Sequence, residues 1–302
     1  MAEEKISEHP ARPVLVRGIL ITLAGAALWG MNGTIAKVLM ERYEADPLWI
    51  ACFRQLGSCV LFLLAAHITQ KGRVGELVHD RQALKGVFGV ALGSFLLSQV
   101  AYLMAIKWTN SGTATVLQSL QMLICLAYVC VKVRRRPRRR ELLGAALALA
   151  GTYLIATGGN PGTLQLPPLG LFWGLVAALA GAILAIQPAK LLDRWGSFAV
   201  NGIGFLISGL ILTAFFQPWN HMPALDGFGW LLITLSIVLG TFGAYGLYLQ
   251  GVKEVGPLRA TLLGTMEPAM ATVTSVVWLG TVFDPATLVG FVLVIAMVYL
   301  TA

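Results

Sequence analysis

Stretches of about twenty apolar residues recur along almost all of this chain, and no other feature restricts its fold so strongly. Each is long enough to cross a hydrocarbon core roughly 30 Å thick. Lipid offers backbone N–H and C=O groups no partner, so each stretch must satisfy its own hydrogen bonds as a helix. The spans fall at 18–40, 47–66, 85–106, 112–132 and 141–158, then at 168–189, 198–217, 228–250, 257–280 and 285–301. The expected fold is therefore an all-α integral membrane protein of ten transmembrane helices. Composition agrees: 57% of the 302 residues are hydrophobic, 12% are charged and the mean hydropathy is +0.76. A soluble domain carries about a quarter charged residues to cover its surface.

The basic residues give the spans a direction. Cytoplasmic loops are enriched in Lys and Arg. With the N-terminus inside, the cytoplasmic segments hold 18 of the 22 basic residues: Lys5, Arg12, Arg17, Lys71, Arg73, Arg81, Lys85, Lys132, Arg134, Arg135, Arg136, Arg138, Arg139, Arg140, Lys190, Arg194, Lys253 and Arg259. The outer ends keep Lys37, Arg42 and Lys107, and Arg54 lies within the second span. Both termini are thus expected in the cytoplasm. The net charge of +8 does not imply nucleic acid, because the basic run at 132–140 lies between two apolar spans, where it sets topology and meets anionic lipid. Residues 1–17 contain Glu3, Glu4, Lys5, Glu8, Pro10 and Pro13 and read as a cytoplasmic tail; no small-residue cleavage site follows the first span, so its retention is expected.

An internal repeat follows. The segment YLMAIKWTNSGTATVL beginning at Tyr102 is echoed by YLQGVKEVGPLRATLL beginning at Tyr248. The same offset of 146 pairs Lys107 with Lys253, Ala114-Thr115 with Ala260-Thr261 and Gly144 with Gly290; Ala36-Lys37 and Ala189-Lys190 match more weakly. Residues 18–158 and 168–302 form the two copies, joined by a Gly- and Pro-rich linker at 159–167. Five spans is an odd number, so the second copy must enter the membrane from the opposite side. Inverted repeats of this kind are a recurring basis of alternating access around a midplane site.

The sequence resembles the EamA-type branch of the drug/metabolite transporter superfamily. The resemblance rests on LWGMNGTIAK at 28–37, Arg54 early in the second span, ATVLQSLQ at 114–121 before a basic loop, GLFWGLVAALAG at 170–181 and TMEPAMAT at 265–272. It implies a ten-helix inverted-repeat carrier for small metabolites such as amino acids, quaternary amines or sugars, with a central cavity lined by spans 1, 3, 4, 6, 8 and 9. The fourth span carries Gln121-Met122 where the ninth carries Glu267-Pro268. Without the proline no kink is expected in the fourth span, and acidic groups are not available in both halves.

Polar residues at membrane depth are costly and mark a pathway or a buried partner. Glu267 lies near the middle of the ninth span with no basic neighbour in sequence. It is the proton-coupling candidate, against a structural role holding the helix around Pro268. Arg54 is the other embedded charge, read as a gate or structural charge, with binding of a substrate carboxylate as the alternative. Gln118 and Gln121, spaced i, i+3, occupy one face of the fourth span, and the offset of 146 sets Gln121 opposite Glu267. Trp29, Asn32, Tyr102, Trp173, Tyr245 and Tyr248 could form an aromatic and polar cage, because ring faces attract cations. Gln99 is a further substrate-contact candidate and, with Gln55, an interhelical hydrogen-bond partner. Trp49, Trp108, Trp195, Trp219 and Trp230 sit at span ends and are expected in the interfacial belts.

No GxxxxGK[ST] phosphate loop is present, and His9, His67, His79 and His221 are scattered, with no HExxH. Cys52, Cys59, Cys125 and Cys130 lack CxxC spacing and are expected as free thiols inside spans. No metal, cofactor or enzymatic activity is expected. The expected function is secondary active transport of a small polar metabolite (an amino acid, an amine or similar) across the cytoplasmic membrane of a prokaryote, with proton coupling at Glu267. A channel-like permease or a non-transporting scaffold is the alternative. The expected partners are the substrate and the bilayer, with the chain acting as a monomer or homodimer.

Overall fold

The structure, a computed structural model, describes residues 12–70, 72–160, 162, 164–186 and 189–301. Most of the expected N-terminal tail and Lys71 of the charge argument lie outside these residues. Among the described residues the fold is entirely helical, with no β-strand. Helix α1 is Arg12–Arg42, α2 Pro47–Thr69, α3 Arg73–His79, α4 Arg81–Trp108, α5 Ser111–Lys132 and α6 Arg139–Thr157. Then come α7 Pro168–Ile186, α8 Ala189–Trp195, α9 Ser197–Phe216 and α10 Gly227–Val255. Helix α11 comprises Pro257–Leu263 and Met266–Leu279, and α12 is Pro285–Thr301.

Eight of these, α1, α2, α4, α5, α7, α9, α10 and α11, are long and apolar enough to cross a membrane. The protein is a multi-pass membrane protein. The expected fifth and tenth spans correspond to α6 and α12, which fall outside those eight. The first of them opens on Arg139, Arg140 and Glu141, and the second is 17 residues long. These two helices pack on each other, and the crossing is close enough to need glycine on both sides. A β-carbon at Gly151 would meet the Gly290 carbonyl oxygen at 2.7 Å, and one at Gly290 would meet that of Gly151 at the same distance.

Local chemistry explains where the helices start. Asp46 caps α2 by accepting from the Leu48 N–H, with Pro47 in the first turn, where its missing donor costs nothing. Asp80 caps α4 by accepting from Gln82 and Ala83, Asn110 caps α5 through Thr113, and Asp226 caps α10 through Gly229. Two long helices contain π turns, Ala91–Leu96 in α4 and Val238–Gly243 in α10. In the second, the Thr241 hydroxyl donates to the Ser236 carbonyl five residues earlier. Such turns recur at functional sites.

The fourth span departs from expectation. Helix α5 breaks at Ser119-Leu120 without a proline. There the bonding tightens to i→i−3, with Leu120 N–H donating to Leu117 and Met122 N–H to Ser119, while the Ser119 hydroxyl takes up the Thr115 carbonyl. Helix α11 breaks at the matching place, Gly264-Thr265, where the Thr265 hydroxyl donates to Leu262.

Helix α1 packs on both α10 and α11, α2 on α9, α4 on α7, and α5 on α11 and α7. Trp49, Ile50, Leu103, Ile106, Leu232 and Ile233 are fully buried where α2, α4 and α10 meet. Trp49 thus does not join an interfacial belt: it stacks on Phe53 at 4.2 Å, and its indole N–H donates to Met222. Trp195 is also buried, whereas Trp108, Trp219 and Trp230 are exposed. All four cysteines are free.

Candidate functional site

The midpoints of α1, α2, α4, α5, α9, α10 and α11, with the last turns of α7, line a partly open cavity of about 360 Å³. The resemblance implied six of these helices; α2 and α9 are additional, contributing Arg54 and Phe205. Nine of the residues singled out by sequence line it: Trp29, Arg54, Gln99, Tyr102, Gln118, Gln121, Tyr245, Tyr248 and Glu267.

The aromatic wall is continuous. Trp29 meets Tyr245 edge-on at 5.2 Å between ring centroids and Tyr248 at 4.9 Å. Tyr245 packs against Phe62, which stacks on Phe205, and Phe205 stacks on Phe95 at 4.9 Å. The π turns contribute directly, since Phe95 lies in one and Thr241 in the other and both line the cavity.

Two opposite charges face this space. Glu267 is half-buried at the start of the second segment of α11, just beyond its break. Arg54 is 5% exposed, and its Nε and one terminal nitrogen are buried with no hydrogen-bond partner. No ion pair within 4 Å involves either residue among those described. Tyr102 is close enough to both to interact electrostatically, and Tyr245 and Tyr248 are similarly close to Glu267. The side-chain oxygens of Gln99 and Gln118 are likewise buried and unpaired. A buried polar group without a partner costs about 1–3 kcal/mol, more when charged, so these groups form a site that gains by taking a polar guest.

Asn32 and Trp173 stand apart from the cavity. Asn32 is turned toward α10, where its carbonyl accepts from Ser236 at 2.5 Å and its amide lies against Gly240. Trp173 packs edge-on against Phe172 and beside the core of α2 and α4. Sequence reasoning did not single out Phe95, Ser98, Leu184, Phe205, Thr241 or Leu249. Gly181, the last residue of the GLFWGLVAALAG segment, also lines the cavity and lies directly against the side chain of Gln121. No group of three or more His, Cys, Asp or Glu side chains that could hold a metal forms among the described residues.

A cavity of this kind, walled by membrane helices and holding unpaired charge, suits passage of a solute. The profile of the EamA-like transporter family matches residues 16–157 and again residues 168–302. This chain belongs to that family. Its EamA-like relatives include the uncharacterized inner membrane transporter YicL of Salmonella typhimurium, 29% identical over 94% of each chain. The uncharacterized transporter YwfM of Bacillus subtilis is 26% identical, over 91% of this chain and 90% of its own. A protein crystal structure shares the fold of this EamA-like chain with a TM-score of 0.61, at 19% identity over 94% of this chain and 95% of the other.

Proposed function

We propose that this protein is a secondary active transporter that moves a small polar metabolite across the cytoplasmic membrane of a prokaryote by alternating access. The observation that carries this reading is the central cavity with two charges on its wall: Arg54, with buried donors that have no partner, and Glu267, which is in no ion pair among the described residues. Arg54 offers buried donors to an anionic group such as a carboxylate. Glu267 and the neighbouring tyrosine and tryptophan faces suit an ammonium group. Amino acids and related zwitterionic amines combine both features. Glu267 is also the proton-coupling group in this reading, an ionisable carboxyl on the cavity wall with no ion pair within 4 Å among the described residues.

Ten spans in two inverted halves supply the mechanism. Pairing of α2 with α9, α6 with α12 and α5 with α11 maps each element onto its counterpart in the other half. The contact of α4 with α7 likewise maps onto that of α10 with α1. The matched π turns and matched helix breaks support the same relationship. The charge split supports cytoplasmic termini, with the 132–140 loop against anionic lipid.

Purified protein in proteoliposomes, supplied with labelled amino acids, amines and sugars under an imposed pH gradient, tests this. Saturable uptake that Glu267→Gln uncouples from the gradient is expected. Full proton-dependent flux in that variant would overturn the coupling role. Unsaturable conductance would make the protein a channel, and no flux for any solute a scaffold.

A further inference from the structure

Beside the cavity lies a polar cluster that the site does not use. Thr34 of α1, Ser111 of α5 and Ser275 of α11 are fully buried, and Thr274 of α11 is half-buried beside them. Their hydroxyls are joined across three helices: Thr34 to Ser111 at 2.7 Å, Thr34 to Thr274 at 2.6 Å and Ser111 to Ser275 at 2.7 Å. The Thr274 hydroxyl also reaches the Met270 carbonyl at 2.8 Å. Each hydroxyl has one proton to donate. One order uses all four: Ser275 donates to Ser111, Ser111 to Thr34, Thr34 to Thr274, and Thr274 to Met270.

The cluster lies between the cavity and one face of the molecule. On α1 and α11, the lining residues Trp29 and Glu267 precede Thr34 and Thr274; on α5, Gln118 and Gln121 follow Ser111. That face carries the α1–α2, α4–α5 and α9–α10 connections, and it is tied at its rim by Lys37 donating to the Lys107 carbonyl and Tyr43 donating to Asp226. The seam leaves no room for larger groups. A β-carbon at Gly33 would meet the Tyr102 hydroxyl at 2.5 Å, and one at Gly112 would meet Thr272 at 3.0 Å. Tyr102 stands on the cavity side of the seam. Its hydroxyl bonds Thr115 at 2.8 Å, and Thr115 donates to the Ser111 carbonyl.

We propose that the Thr34–Ser111–Thr274–Ser275 hydroxyl cluster is the latch that holds this face of the transporter shut. It joins α1, α5 and α11 by short directional bonds that can be exchanged for others one at a time, whereas an apolar seam would have to separate as a whole. Tyr102 connects the latch to the cavity wall, so a guest that draws the Tyr102 hydroxyl away from Thr115 pulls on the helix that carries Ser111. The role in a transport cycle rests on the proposed function; closure of the face by these four residues does not.

The test uses the full chain in sealed vesicles of known sidedness, with the native cysteines replaced and Ser98→Cys placed in the cavity as a reporter. A membrane-impermeant maleimide is applied from each side. In the parent, labelling from the α1–α2 loop side should be slow. Thr34→Val combined with Ser111→Ala should raise it at least roughly tenfold, the low end for losing all three hydroxyl–hydroxyl bonds, while labelling from the other side stays equal or falls. Thr274→Val, which removes one bond between helices, should give a smaller rise and serves where the double variant does not fold, and Thr34→Ser should behave as the parent. Unchanged labelling from the loop side in the folded variants overturns the latch, as would an equal rise from both sides. Because the readout is labelling, a lack of flux for every solute would count against transport without touching this result.

Discussion

Gly30 of α1 lies directly on the backbone of Glu267: a β-carbon at position 30 would overlap the Glu267 carbonyl oxygen and meet the Ala271 nitrogen at 2.8 Å. The chain segment that carries the cavity's carboxyl is therefore held in place by the absence of a side chain on its neighbour. Gly30→Ala should lower thermal stability by about 1–3 kcal/mol, the usual cost of overfilling a packed contact. Thermal unfolding in detergent measures it, and an unchanged midpoint would mean that α1 and α11 are looser here.

Removing the charge of Arg54 should separate stability from function. Its Nε and one terminal nitrogen are buried without partners; an unpartnered buried polar group costs about 1–3 kcal/mol, more when charged, and an apolar side chain of similar length does not carry that cost. Arg54→Met should melt at the same or a higher temperature while saturable flux in proteoliposomes is lost. A lower melting temperature would show that Arg54 holds the helices together.

The Tyr43–Asp226 tie should respond to acid. The hydrogen bond from Tyr43, at 2.5 Å, and then the Gly229 N–H hold the Asp226 carboxyl below the ordinary carboxylate range, with Arg42 3.8 Å away adding to the effect. A group depressed on folding stabilises the fold above its unfolded value and loses that contribution as pH falls through the folded one. Asp226→Asn should therefore melt below the parent at neutral pH, and the difference should close on strong acidification. A gap that persists at low pH would assign the effect to packing.

Gly181 touches Gln121 so closely that a β-carbon there would displace the amide. Both residues line the cavity. Gly181→Ala should move Gln121 and change the KM for transport by more than it changes the melting temperature. Equal kinetics for the parent and the variant would remove Gln121 from the binding surface.

What sequence revealed follows from contrast. Arg54, Glu267 and the glutamines are visible because a polar group in an apolar span stands out, and five of them, Arg54, Gln99, Gln118, Gln121 and Glu267, share the cavity. Phe95, Phe205, Leu184 and Leu249 line the same space but have no contrast with the apolar residues beside them. The break in α5 is hidden because no proline marks it: Ser119 keeps its N–H bond to the Thr115 carbonyl and adds its hydroxyl to the same acceptor, which any serine in a helix can do. Thr34, Ser111 and Ser275 were hidden for a related reason: small hydroxyls in a membrane helix can always return to a carbonyl of their own helix, so only coordinates show that they bridge three. Trp49 occupies a span end in sequence but points inward, a choice that depends on the packing of α2 against its neighbours.

The π turn at Val238–Gly243 sets the phase of everything that follows it in α10. A π turn holds one residue more than the α-helical turn it replaces, and each residue of an α-helix rotates the chain by about 100°. Deleting Leu239 would restore an unbroken α-helix and swing 244–255 by about that angle relative to 227–237, carrying Tyr245 and Tyr248 away from Trp29. The aromatic wall is thus a property of helical register as much as of the rings that compose it. Two chains with the same aromatic residues could present different faces to a solute through a single inserted residue.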